Sequence, residues 1–206
     1  MLPLDQVRQP AAPFTMSQLF RFRKAIAFAR RAHDGLDRPS GRAYFSHALA
    51  VLQILLSANK ALPEEAYIAA LLHDTIEHGN ATKEEIALAF GEEVAAVVAA
   101  LTHPVATKAK DHLALQELYV AQIVEANTVY PYIMLITMAD RLHNLETAQF
   151  LPKKAQQSLI EEVTTLYLPI FLREEFREDI SLEGHSYLSG LVQMSLSTFI
   201  QRKKSV

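Results

Sequence analysis

His47, the adjacent pair His73-Asp74, and Asp140 offer two imidazoles and two carboxylates from stretches that read as helix. Neighbouring helical residues diverge by about 100°, so an adjacent His-Asp pair buried in an apolar helix needs a shared reason to be there. A divalent metal ion held jointly supplies one. Imidazole nitrogen with carboxylate oxygen and no thiolate suits Mn, Fe, Zn or Mg, and leaves room for a coordinated water. Taken singly, each of these residues reads more simply as a satisfied polar group of the core; taken together in their contexts, they read as a metal site.

The flanking residues sharpen this. In YIAALLHDTIEHG, Ala69 to Leu72 lead into His73-Asp74 and Glu77 follows one turn later, so positions 73, 74 and 77 share a helix face. In ITMADRLHNLET, apolar residues run up to Asp140, after which Asn144 and Thr147 recur at helical spacing on the same side. A divalent ion makes bound water acidic near neutral pH, which provides a nucleophile for attack on phosphorus. Glu77 stands where it would take a proton from such a water or orient it. The plainer alternative is a glutamate that ends a helix beside Gly79.

The motifs RPSGRAYFSH (38–47), LLHDTIEH (71–78), TKEEIALAFGEEVAAVV (82–98) and MADRLHNLET (138–147) together resemble the hydrolase domain of the RelA/SpoT-type alarmone enzymes, within the HD superfamily of metal-dependent phosphohydrolases. The resemblance spans roughly residues 20 to 170, and its specificity lies in the set, since His-Asp alone is two common residues. With the chain ending at residue 206, the expected counterpart is a stand-alone small (p)ppGpp hydrolase. The resemblance implies an HD-domain helical bundle and Mn2+-dependent hydrolysis of the 3′-pyrophosphate of guanosine 3′,5′-bis(diphosphate), giving GDP or GTP and pyrophosphate. It implies His47, His73, Asp74 and Asp140 as metal ligands and Glu77 as a catalytic residue. Arg38 falls where a guanidinium lies against the purine base, Asn144 and Thr147 where the sugar and 3′-phosphate are contacted, and Tyr167 near the base pocket, although a core tyrosine reads equally well there. Arg141 matches an ion-pair partner.

Three positions depart from the family pattern. His78 replaces the usual aspartate after Glu77, and Pro39 and Thr137 stand where lysines are common. An imidazole at 78 would donate to a phosphate oxygen, act as general acid or base, approach the metal, or simply end a helix favourably. The expectation is that His78 is catalytic with Glu77 and shifts the pH optimum. Two other readings stay open: the same chemistry on an adenosine alarmone, the 2′-phosphate of NADPH or a nucleoside monophosphate, and a non-catalytic alarmone sensor, against which the retained ligands and Glu77 argue. His33, His103, His112, His143 and His185 show no partner pattern and read as surface or core histidines.

The elements that must position these residues are helical throughout. Residues 1–15 hold three prolines and read as a flexible arm, followed by one domain over 16–206. Helical periodicity runs from Ser17 to His33, from Tyr44 to Ala58, and from Pro63-Glu64-Glu65 to His78-Gly79. Thr82 with Glu85 forms a capping box for a short helix that stops at Gly91, and Val94 to Leu101 form another before the loop HPVATKAKD. Amphipathic segments follow over 111–126, 131–149, 153–173 and 184–202. No alternating strand pattern appears, so the fold class is all-α with about eight or nine helices. The segment 184–202 lies beyond the family match and would cap the bundle or join two subunits as a homodimer.

Composition excludes several classes. Lys and Arg total 20 against 23 acidic residues, a net charge of −3, which disfavours nucleic-acid binding by bulk charge. There are no cysteines, hence no disulfide scaffold or thiolate site. No apolar run spans a bilayer and the N-terminus lacks a secretory pattern, so the expected location is cytoplasmic.

Overall fold

The helices follow in the order α1 (Met16–Ala32), α2 (Phe45–Ala58), α3 (Glu64–Leu72), α4 (Lys83–Phe90), α5 (Glu92–Ala100), α6 (His112–Asn127), α7 (Ile133–Glu146), α8 (Lys153–Glu162), α9 (Leu168–Phe171) and α10 (Leu182–Lys204). They are taken from a computed structural model that describes residues 15–59, 61–104, 112–173 and 182–204. The expected arm, apart from Thr15, and most of the loop after Pro104 lie outside the described residues. A π-turn over Val163–Tyr167 joins α8 to the single turn of α9. Counting that as one broken rod, the described residues form nine helices, in line with the all-α expectation. Among them the only β pairing is an isolated bridge between Asp37 and Ala43. No described helix is long and apolar enough to cross a membrane.

Two helices with almost no polar face make the centre. Every residue of α3 from Ala66 to Leu72 is buried, as is every residue of α7 from Ile133 to Leu142. A helix apolar on all sides must be enclosed. Helices α1, α2 and α5 enclose α3, while α2, α6 and α10 pack on α7. Because α2 touches both, its first turn, the end of α3 and the second half of α7 meet at one place.

Local signals set most boundaries. Thr82 and Glu85 exchange both capping-box bonds, Glu85 N–H to Thr82 Oγ1 at 3.2 Å and Thr82 N–H to Glu85 Oε2 at 2.9 Å. Gly91, at φ 101°, ends α4 and begins α5, a backbone conformation that a side chain would strain. Glu64 and Glu65 occupy the first turn of α3, favourable for the helix dipole, and both pair with Arg21 of α1. One boundary differs from expectation: α3 stops at Leu72, and residues 73–78 are a series of turns rather than two more turns of helix.

Candidate metal centre

The early end of α3 builds the site. Thr75 donates both its N–H (2.9 Å) and its hydroxyl (2.7 Å) to the Leu72 carbonyl, tightening the chain out of α geometry. His73 Nδ1 donates to the Ala70 carbonyl at 2.8 Å, because a carbonyl can only accept. Freed from helical divergence, His73 and Asp74 converge, with His73 Nε2 3.3 Å from Asp74 Oδ2. The turn is then pinned to the end of α1: Asn80 N–H donates to Ala32 O at 3.1 Å, and a Cβ on Gly79 would stand 2.9 Å from that same oxygen and 2.5 Å from Thr75 O.

The other candidate ligands arrive from two helices. His47, in the first turn of α2, places Nε2 3.0 Å from Asp140 Oδ1 of α7, 3.2 Å from His73 Nε2 and 3.4 Å from Asp74 Oδ2. One donor atom each from His47, His73 and Asp140 lie within 4.8 Å of one another. Behind His47, its Nδ1 meets His143 Nδ1 at 2.7 Å. Burial first, then His47 and Arg38, lower the His143 ring to about 4, so it is neutral and accepts at Nδ1 from His47. Both His47 and His73 are thus fixed from behind with a proton on Nδ1. Unprotonated at Nε2, as ligands to a cation would be, both rings aim that nitrogen at carboxylate oxygens of Asp74 and Asp140, a donor set that fits a divalent cation.

The carboxylates are held ready. Asp140 Oδ2 accepts from Arg141 Nε at 2.9 Å and Nη2 at 2.5 Å, and Oδ1 accepts from Asn144 Nδ2 at 2.8 Å. Burial opposes the Asp140 charge, but Arg141, His47 and His73 outweigh it and hold the carboxyl well below its usual range. Asp74 accepts from the Tyr44 hydroxyl at 3.0 Å and is likewise lowered, burial being outweighed by His73 and His47. Burial also works against a second proton on His73, yet Asp74 and Asp140 lift that ring to about 9 in the metal-free chain. Since this folded value lies above the ordinary 6.5, the contribution to stability is complete below about 6.5 and is lost as pH rises through about 9. Urea midpoints of the metal-free chain are therefore expected to fall across that window, and saturating manganese to remove the fall.

A cavity of about 200 Å³ opens over these four residues. Glu77, His78, Arg38 and Asn144 also line it. Glu77 Oε2 accepts from the His103 backbone N–H at 2.9 Å and from His103 Nδ1 at 2.7 Å, while Oε1 lies 3.4 Å from His78 Nε2. Burial opposes the Glu77 charge, and His103 with His78 more than offsets it, lowering its pKa. Arg38 donates from Nη2 to Asn144 Oδ1 at 2.8 Å and holds its guanidinium carbon 5.4 Å from the centre of the Tyr44 ring. Pro39 and Thr137 also line the cavity, so the two absent lysines are absent from the site itself.

Two predicted site residues are not brought to this cavity. The Thr147 hydroxyl donates to His143 O at 2.8 Å at the end of α7. Tyr167 is buried beneath Arg141, whose guanidinium carbon lies 4.8 Å from its ring centre. Conversely, Tyr44, His103 and His143 take part without having been singled out. His143, three residues after Asp140, carried a spacing signal; His103 carried none, since its partner lies 26 residues earlier.

Comparison with known proteins agrees with this geometry. A family described as HD domain matches residues 25–175. The guanosine-3′,5′-bis(diphosphate) 3′-pyrophosphohydrolase of Borreliella burgdorferi is 31% identical over 203 residues, covering 89% of this chain and 28% of that protein. The bifunctional (p)ppGpp synthase/hydrolase SpoT of Escherichia coli is 34% identical over 167 residues, covering 81% of this chain and 23% of SpoT. The chain thus spans less than a third of the length of these curated relatives. A solved structure of a metazoan ortholog of SpoT shares the fold, with a TM-score of 0.66 at 19% identity over 95% of this chain and 97% of that one.

Proposed function

The chain belongs to the HD domain family, and from the site it carries we propose that it is a metal-dependent phosphohydrolase acting on guanosine 3′,5′-bis(diphosphate) or its 5′-triphosphate form. Water replaces the ribose at the 3′-phosphorus: the bond from the 3′ oxygen to phosphorus breaks, the ribose oxygen takes up a proton, and pyrophosphate leaves with the water oxygen. The observation that carries this reading is the convergence of two Nε2 atoms and two carboxylates beneath an open polar cavity.

His47, His73, Asp74 and Asp140 would hold the ion, and manganese is the proposed metal, with Fe, Zn or Mg compatible with the same donors. When bound, such an ion supplies Lewis acidity toward water and toward a phosphoryl oxygen. The chain's own side chains do the rest. Glu77 stays ionised between His103 and His78 and accepts or aligns the proton of the attacking water. His78, half exposed at the rim, donates toward the phosphate or the departing ribose oxygen. Arg38 offers a planar cation to the base, and Asn144, bonded to both Arg38 and Asp140, ties nucleotide binding to the metal ligands. Thr147 and Tyr167 act behind this layer, the first fixing the end of α7 and the second supporting Arg141.

Pro39 and Thr137 favour one further reading, the same chemistry on a less highly charged nucleotide, because they leave Arg38 and the carboxylate-paired Arg141 as the cations lining the cavity among the described residues. Phosphate and pyrophosphate release with manganese would be measured in parallel on guanosine tetraphosphate, its adenosine counterpart, NADPH and GMP. The guanosine alarmone is expected to turn over fastest. A rate no better than the others would move the assignment to the faster substrate, and binding without release on all four would leave a sensor.

A further inference from the structure

The histidine at 103 does more than fill space beside the cavity. It gives Glu77 two hydrogen bonds on the same oxygen, one from its backbone and one from its ring. A carboxylate only accepts, so the ring proton sits on Nδ1. The opposite nitrogen, Nε2, is buried with no hydrogen-bond partner among the described residues, a position tolerable for a bare lone pair and costly for an N–H. The ring plane is set by Tyr119 of α6, stacked at 3.7 Å and 23°, and Tyr119 is anchored in turn by its hydroxyl bond to Leu101 O at 2.9 Å. Orientation, tautomer and platform are therefore all determined.

From this arrangement we infer that His103 is the positioning residue of Glu77: it clamps Oε2 from the segment after α5 and leaves Oε1 as the oxygen available to His78 and the cavity. The inference rests on the reading of Glu77 as the group that handles the proton. His103 itself touches neither substrate nor metal in this scheme. It acts as the orienting partner does behind a catalytic base, holding one group so that another atom of that group is aimed. Of the ionisable groups near Glu77, His103 after α5 and His78 in its own turn lower its pKa, Tyr119 on α6 and Tyr167 before α9 feel its charge, and Arg38, Tyr44, Asp74, Asp140 and Arg141 share the cavity with it.

The test compares His103→Ala with His103→Asn in the full chain, since the asparagine amide nitrogen can take the place of Nδ1 as a donor. His103→Ala keeps the backbone bond, so kcat is expected to fall about tenfold, the worth of one hydrogen bond to a charged group. KM, manganese affinity and melting temperature should stay near wild type. The acid limb of the kcat profile should move to higher pH, and the side-chain carboxyl 13C titration of Glu77 in the metal-free protein should move with it. His103→Asn should restore most of both. If His103→Ala does not fold, His103→Leu fills the place against Tyr119 without a donor and should show the same losses. Wild-type kcat with an unmoved acid limb in Ala or Leu, or an Asn variant no better than they are, overturns the inference. Retained turnover in Glu77→Gln would instead bring down the underlying reading of Glu77, so the two failures are distinguishable.

Discussion

Asp140→Asn is expected to reduce hydrolysis to the level of the metal-free chain and, separately, to destabilise the fold by about 3 kcal/mol. The two effects have different causes. Activity is lost because Asp140 Oδ1 is the oxygen nearest His47 Nε2, and an amide in its place is a weaker, neutral donor to a cation. Stability is lost because Arg141, 9% exposed, keeps its charge and loses the carboxylate that neutralises it. Asp74→Asn should abolish activity equally but cost much less stability. Its charge partner is His73, which can shed its proton once the carboxylate is gone, whereas a guanidinium cannot. Manganese titration calorimetry and urea unfolding on the two variants check this. A loss of stability in Asp140→Asn as small as that expected of Asp74→Asn would mean that Arg141 finds another partner and that the pairing with Asp140 is dispensable.

The cluster of His47, His73, Asp74 and Asp140 is legible in the sequence because His and Asp interrupt strongly apolar runs, and a shared cation would account for all four at once. The helical fold is legible from apolar residues recurring at helical spacing and from the capping box at Thr82 and Glu85. What the pattern hides is where α3 stops. Apolar spacing continues through Thr75 and Ile76 as if helical, while the Thr75 hydroxyl competes for the Leu72 carbonyl and ends the helix there, a choice made by a local hydrogen bond that periodicity does not register. The same limit explains Thr147, which shares a stripe with Asp140 and Asn144 but stands at a helix end, where its hydroxyl turns back to the chain. His103 illustrates a deeper limit. Nothing in Thr102-His103-Pro104 distinguishes a buried clamp from a loop histidine, and only the packing of α5 and α6 beside the turn after α3 brings it to Glu77.

Glu77→Gln is expected to lower kcat by about 10²- to 10⁴-fold, the range for removing a positioned acid–base group, while leaving manganese affinity and KM near wild type. The substitution is close to isosteric. The amide oxygen can still accept from the His103 backbone and ring, so the turn and the cavity wall should persist; what disappears is the negative charge that takes or aligns a proton. The sign of the pH dependence follows from the lowered pKa of Glu77. The active form is the carboxylate, so turnover is present above that pKa and lost as pH falls through it, and because burial is outweighed by His103 and His78 this loss begins below the ordinary 4.5. In Glu77→Gln that acid limb should vanish from the residual rate. A variant that keeps near-wild-type turnover, with its pH profile intact, would show that the proton passes through His78 alone. Retained metal affinity is the decisive control, because it separates a chain that cannot hold the ion from one that holds it and cannot move the proton.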